Sequence, residues 1–348
     1  MKQRENITKK EKGGAEPEIT ISPPDLIPTG SALLNLALSD HVYGGFRKGS
    51  IVNIIGDRSS GKSFLLWDIF AAVIRDNRFD DYRLLYDEPE RALLFKLKKL
   101  FGKKIKRVEF DDGSKDAPLK ASITIQDFYH NIMGIIDDGK PFVYGLDSFD
   151  ALTSEEELER KDVGKGGYKT EKAIALSEML RQVLSRIEST GSLLIIVSQT
   201  RDNIGVAFGK KKTRSGGRAL GFYALHELWL AIKSHIKRKN REVGVDVKAK
   251  LEKNKITGKL REVEFPIIFD YGLDDTESMI NWLVSEKYWS KKGRIVKNEE
   301  FGDMPTADLI STIESSNDNI FLMKEVVFKK WMEIEDSIKT VGRKPKYD

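Results

Sequence analysis

Ile51-Val52-Asn53-Ile54-Ile55-Gly56-Asp57-Arg58-Ser59-Ser60-Gly61-Lys62-Ser63 is the stretch on which the fold turns. Its first five residues form a short apolar, largely β-branched run, which suits a strand covered on both faces. Gly56 to Ser63 then follows the spacing G-x-x-x-x-G-K-[ST]. Ser63–Ile74 has helical character. A glycine-rich turn between a buried strand and a helix start lets backbone N–H groups converge on phosphate oxygens, and the helix dipole favours negative charge there. Gly56, Asp57, Arg58, Ser59, Ser60, Gly61, Lys62 and Ser63 are therefore the candidate phosphate cradle. Lys62 would reach the β- and γ-phosphates of a nucleotide, and the Ser63 hydroxyl would bind Mg²⁺.

Outward from this turn, strands and helices alternate. Arg83–Tyr86 reads as a strand, Ile123–Ile136 as a helix and Phe142–Leu146 as a strand. Thr170–Glu188 places Leu176, Leu180, Val183, Leu184 and Ile187 at helical spacing, so one face is expected to be buried. Leu193–Val197 and Glu227–Ile232 read as further strands. The alternation predicts an α/β fold with a mainly parallel central sheet. After about Phe269 the texture changes, and 275–348 reads as a small C-terminal α+β domain. Its tryptophans are expected in packing rather than in base stacking.

Two further acidic positions complete the chemistry. Phe142–Leu146 runs into Asp147, an apolar strand ending in a carboxylate, which would hold Mg²⁺ through water with Ser148 beside it. Hydrolysis also needs a carboxylate to orient the attacking water. Tyr86-Asp87-Glu88-Pro89-Glu90 offers three, of which at least one reads as a surface charge; the residues alone leave open which acts.

Composition bounds the rest. Of 348 residues 40% are hydrophobic, enough for a sizeable core, and there is no cysteine to form a disulfide or a thiolate zinc site. No apolar run approaches the roughly eighteen residues of a membrane span, and residues 1–17 are polar, so a soluble cytoplasmic protein is expected. The formal charge is only +5, but it is unevenly spread. Between Arg201 and Arg218, Asp202 is the single acid among Arg201, Lys210, Lys211, Lys212, Arg214 and Arg218, with Gly205, Gly209, Gly216 and Gly217 interspersed. Such a segment cannot pack as core, whereas a polyphosphate backbone would order it. Lys233–Lys255 is a second basic stretch, for which a solvated face is the plain reading.

These elements, in this order, resemble the RecA family of recombinases, including the phage UvsX type, from about Ile27 to about Leu283. Ile27-Pro28-Thr29-Gly30-Ser31, with Leu34, Leu36 and Leu38, is similar to the family's entry motif. Ser192–Arg201 resembles the strand ending in a γ-phosphate-sensing glutamine, here Gln199. Ile204–Gly209 and Ser215–Leu220 resemble the second DNA-binding loop, with Ile204 as the wedge between bases. The resemblance implies DNA contacts from Arg201, Ile204, Lys210, Lys211, Lys212, Arg214, Gly216, Gly217 and Arg218. It places the first DNA-binding loop at 160–167, with Val163 and Gly164, and gives Arg181 a phosphate contact. Lys253 and Lys255 match a lysine pair that reaches the neighbouring subunit's ATP. Counting back from Leu100-Phe101-Gly102 selects Glu90 as the water-orienting acid, with Glu88 in reserve.

The resemblance implies an α/β core at 27–274 that binds ATP and Mg²⁺. It also implies a DNA-dependent ATPase that assembles as a helical filament on single-stranded DNA and pairs it with homologous duplex DNA. Residues 1–26 depart from the family, leaving only Glu18–Ser22 as a short docking strand, and a basic segment, Arg343-Lys344-Pro345-Lys346, replaces an acidic tail. The competing reading is a RecA-like DNA-dependent ATPase that does not recombine, a ring helicase or a regulatory ATPase. A ring helicase would carry an additional N-terminal oligomerisation domain, for which 1–26 is too short.

Overall fold

The computed structural model describes residues 22–92, 96–159, 168–202, 212–214 and 217–339. The chain enters through β1 (Leu26–Ile27), the fully buried helix α1 (Ala32–Ser39) and β2 (Phe46–Arg47), which pairs back on β1. The core then alternates β3 (Ser50–Gly56), α2 (Lys62–Arg75), β4 (Arg83–Asp87), α3 (Leu97–Phe101), β5 (Val108–Phe110), α4 (Ile125–Asp137) and β6 (Phe142–Leu146). It continues through α5 (Glu155–Glu159), α6 (Tyr168–Thr190), β7 (Leu193–Asp202), β8 (Lys212–Arg214) and α7 (Gly217–Tyr223). The antiparallel strands β9 (His226–Arg238), β10 (Arg241–Asn254), β11 (Glu262–Ile268) and β12 (Gly272–Leu273) close the sheet.

The strand order is β12-β11-β10-β9-β3-β7-β6-β4-β5, with β8 off this path and paired to β7. From β9 through β3, β7, β6 and β4 to β5 every pairing is parallel. Every residue of β3 is buried. Val52 and Ile54 join the hydrophobic cluster under α1 and α2, while Ile51 joins the cluster under α4 and α6. Alternate side chains thus pack on opposite faces of a sheet covered by helices on both, which explains a continuous apolar run rather than an alternating one.

Several boundaries differ from the sequence reading, among them the strand expected to end at Val197, which runs to Asp202; two of the differences have a plain local cause. The helix expected from Ile123 begins at Ile125, because Thr124 Oγ1 accepts the Asp127 N–H at 2.9 Å while the Asp127 carboxylate accepts the Thr124 N–H at 2.9 Å. That reciprocal cap stops the helix from extending backwards. The strand expected to end at Ile232 runs on to Arg238, turns through Lys239 and Asn240 at positive φ, and returns as β10. The basic stretch 233–255 is this hairpin and its return, and part of its charge is met by acids: Lys233 with Glu264 at 2.5 Å, Lys248 with Glu262 at 2.8 Å and Lys250 with Glu252 at 2.7 Å.

Beyond β12 the chain forms α8 (Asp275–Ser285), a small sheet of β13 (Ser290–Lys292), β14 (Ile295–Lys297) and β15 (Met304–Pro305), then α9 (Thr306–Glu314) and α10 (Asn317–Ser337). Met279, Ile313, Val327 and Trp331 share one hydrophobic cluster with α1 and α2. A polar clasp fixes the last helix: Arg261 pairs with Asp40 at 2.7 Å and Glu335 at 2.8 Å, and Trp331 Nε1 donates to Asp40 at 3.0 Å. Trp67, Trp289 and Trp331 are buried packing residues.

Candidate nucleotide site

The cradle is shaped by what glycine alone permits. A Cβ at Gly56 would stand 2.4 Å from Ser60 Oγ and 2.6 Å from the Leu230 carbonyl. Gly61 caps α2 at a φ of 89°, and a Cβ there would meet Ile267 at 2.6 Å. L side chains rarely adopt that backbone region. Lys62 opens α2 with its side chain buried, and its ammonium donates to the carbonyls of Gly56 at 3.0 Å and Asp57 at 2.6 Å. Burial pulls its pKa down, while Asp147, Asp150, Asp57 and Glu90 pull it back up. The ammonium is thus held over the loop where a phosphate chain would lie.

Asp147 sits at the mouth of β6, buried, and accepts the Tyr86 hydroxyl at 3.1 Å. Burial pushes its pKa up; hydrogen bonds from Ser63 and Tyr86 and the charge of Lys62 oppose that shift. Lys62, Ser63, Asp147, Glu88, Glu90 and Gln199 line one cavity of about 200 Å³. They come from α2, β7 and the ends of β4 and β6, and the sheet order makes these neighbours. The oxygens of Ser63 and Asp147 are the hard donors that Mg²⁺ prefers. Against the other side of the loop lies a recess of about 450 Å³ with apolar walls at Phe64, Ile232, Val245, Ile267 and Phe269.

The three acids at the end of β4 and just beyond it are sorted by their surroundings. Asp87 is not a surface charge. It is fully buried, and its carboxylate accepts the Ser122 N–H at 2.9 Å and the Ser122 and Tyr144 hydroxyls at 2.5 Å each. It ties β4 to β6 and to the approach to α4. Glu88 accepts the Ala92 N–H at 3.0 Å and so closes its own turn. Glu90 is reached by the Ser148 hydroxyl at 3.4 Å, beside Asp147.

The RecA N-terminal domain family matches residues 12–274. The chain belongs to the RecA family. Protein RecA of Ehrlichia ruminantium (strain Gardel) is similar at 30% identity over 269 residues, covering 77% of this chain and 70% of that protein. Membership carries ATP binding, DNA binding and a place in recombination and repair at the level of the family.

Gln199 of this RecA-family chain pairs in register with Gly56, the first glycine of the cradle. Its backbone N–H donates to Asp150 at 2.7 Å, the Thr200 hydroxyl donates to the Asp57 carboxylate, and Arg201 meets Asp150 at 3.5 Å. Arg181 lies exposed on α6. Lys212 and Arg214 belong to β8, while Gly217 and Arg218 open α7. Val163, Gly164, Ile204, Lys210, Lys211 and Gly216 lie outside the described residues. Lys253 and Lys255 do not line the 200 Å³ cavity of their own chain. Instead, Lys253 Nζ caps α7, donating to the carbonyls of Gly221 at 2.6 Å and Phe222 at 3.1 Å. Asp150 and Lys172, both close to this arrangement, carry no spacing signature in the sequence, and only the fold brings them in.

Proposed function

We propose that the chain is an ATP-dependent recombinase that binds single-stranded DNA, assembles into a filament and promotes pairing and strand exchange with homologous duplex DNA. The carrying observation is the pairing of Gly56 with Gln199. One strand end faces the phosphate cradle and leads, two residues later, into the basic segment 201–218. A change at the γ-phosphate is thereby one strand away from a DNA-binding loop. Lys62 and the cradle N–H groups would hold the triphosphate, Glu90 would orient the attacking water, and Ser63 and Asp147 would hold Mg²⁺. That ion neutralises charge on the β- and γ-phosphates when bound.

Gln199→Ala tests the coupling. Nucleotide affinity stays largely intact, because Lys62 and the cradle supply most of the hydrogen bonds to phosphate, while DNA affinity stops responding to ATP. Neutralising Lys210, Lys211 and Lys212 instead weakens DNA binding with every nucleotide. It also flattens the salt dependence by about one unit of log–log slope for each DNA phosphate left without its cation. Titrating labelled single-stranded DNA with ADP or an ATP analogue at several salt concentrations separates the two. A full ATP-versus-ADP difference in the Gln199→Ala protein rules this route out. Electron microscopy of the complex reports assembly: helical filaments accord with a recombinase, closed rings with a non-recombining ATPase.

Lys253 and Lys255 would serve the neighbour's ATP. The doubly substituted Lys253→Ala/Lys255→Ala protein loses DNA-stimulated hydrolysis, and mixing it with Lys62→Ala protein restores part of it at interfaces that pair two intact faces. Co-assembly without recovery at any ratio means that each site is completed within one chain.

A further inference from the structure

At Gln199 the strand β7 changes partners. Up to this residue it lies parallel to β3; from Thr200 it pairs antiparallel with β8, across Thr200–Arg214, Arg201–Thr213 and Asp202–Lys212. Besides β8 and the bond from the Thr200 hydroxyl to Asp57, this strand end is gripped by Asp150. Its carboxylate uses both oxygens, one accepting the Gln199 N–H at 2.7 Å and the other meeting the Arg201 guanidinium at 3.5 Å. Asp150 lies three residues beyond Asp147, in the single turn Phe149–Ala151 that follows the end of β6.

That turn is itself fixed from a third direction. Lys172, in the early part of α6, donates its ammonium to the carbonyls of Phe149 at 2.9 Å, Asp150 at 3.3 Å and Leu152, and it stands 4.5 Å over the Phe149 ring. An ammonium has three protons, and here three carbonyls take them. The lysine is half-buried, with its hydrogen bonds spent on backbone rather than on solvent. This is the binding of a structural pin rather than of a surface charge. α6 begins at Tyr168, directly after 160–167, while β7 runs into 203–211.

We propose that Asp150 and Lys172 form a positioning pair, built on the turn after Asp147, that transmits the state of the nucleotide cavity to both DNA-facing segments at once. Asp150 sets the strand end that leads into the second segment, and Lys172 sets the helix that leads out of the first. A movement of Asp147 and Ser148 on nucleotide exchange shifts the turn, and the turn moves the end of β7 and the start of α6 together. The inference rests on the DNA-binding reading above and adds the connection between its parts.

The test compares the affinity of labelled oligothymidylate at saturating ADP and at a saturating non-hydrolysable ATP analogue. In the unmodified chain the analogue tightens binding. Asp150→Ala and Lys172→Met each reduce that contrast by about fivefold or more, the lower range of measured couplings between sites. Asp150→Asn retains most of it, because the amide oxygen still accepts the Gln199 N–H. The double variant Asp150→Ala/Gln199→Ala shows no more loss than either single one, as expected when one residue acts through the other. Folded Asp150→Ala and Lys172→Met proteins with undiminished contrast overturn the proposal alone. So does an equal loss of affinity with both nucleotides, which marks a purely structural role. Absence of any contrast in the unmodified chain overturns the DNA-coupling reading and this proposal with it. Should Asp150→Ala not fold, the Lys172→Met result decides.

Discussion

Lys62→Ala lowers ATP hydrolysis by about 10²–10³-fold and leaves a folded protein. The ammonium is held over the cradle, anchored on the Gly56 and Asp57 carbonyls 3.0 and 2.6 Å away. It already carries a desolvation cost, seen as its lowered pKa, which attraction to Asp147 and its neighbours only partly offsets. A preorganised cation in a partly dry site stabilises developing charge on transferring phosphate far more than one in water does. Loss of one such group costs about 10²–10³-fold in turnover. The fold tolerates the change because the ammonium bonds only to two carbonyls of the cradle itself, and leaving them without their donor costs about 1–3 kcal/mol each. Steady-state hydrolysis with and without single-stranded DNA, beside a thermal melt, measures both halves. DNA-stimulated turnover at the unmodified rate refutes the assignment of this loop.

Glu90→Gln slows hydrolysis by about 10²–10⁴-fold, the range for a positioned acid–base group, yet retains ATP binding and prolongs the DNA complex. Binding needs no base, whereas orienting water does. Glu88→Gln changes turnover only a few-fold, since the Glu88 carboxylate accepts the Ala92 N–H within its own turn while Glu90 lies beside Ser148. Single-turnover hydrolysis and DNA dissociation rates of the two variants, side by side, distinguish them. A fully active Glu90→Gln with an inactive Glu88→Gln would reverse the assignment.

How much of this was legible in the amino-acid order depended on distance along the chain. The cradle was, because strand, turn and helix are covalently consecutive: once Ile51–Ile55 is a buried strand and Lys62–Arg75 a helix, the peptide N–H groups between them have few places to go. The parallel α/β class followed from the same local periodicities. Residues such as Ile51, which faces one helical layer, and Val52, which faces the other, explain why that run is apolar throughout. The residues alone did not sort Asp87, Glu88 and Glu90; within the sequence only the family resemblance favoured Glu90. Three acids in four residues look alike until Ser122 and Tyr144, from elsewhere in the chain, draw Asp87 inside.

The sequence by itself determined which peptide could cradle phosphate, which strands would be buried, and which family the order of motifs resembles. Only the tertiary structure decided that Gly56 and Gln199 lie in register, that Asp150 grips a strand end 49 residues away, that Lys172 pins the turn between them, and that Lys253 caps α7 within its own chain. The physical reason is the range of the forces involved. Periodicity and turn chemistry act within a few residues and are written in consecutive side chains. The meeting of Asp147, Glu90 and Gln199 depends instead on strand order and register, and these are set by burying the two hydrophobic clusters on opposite faces of one sheet.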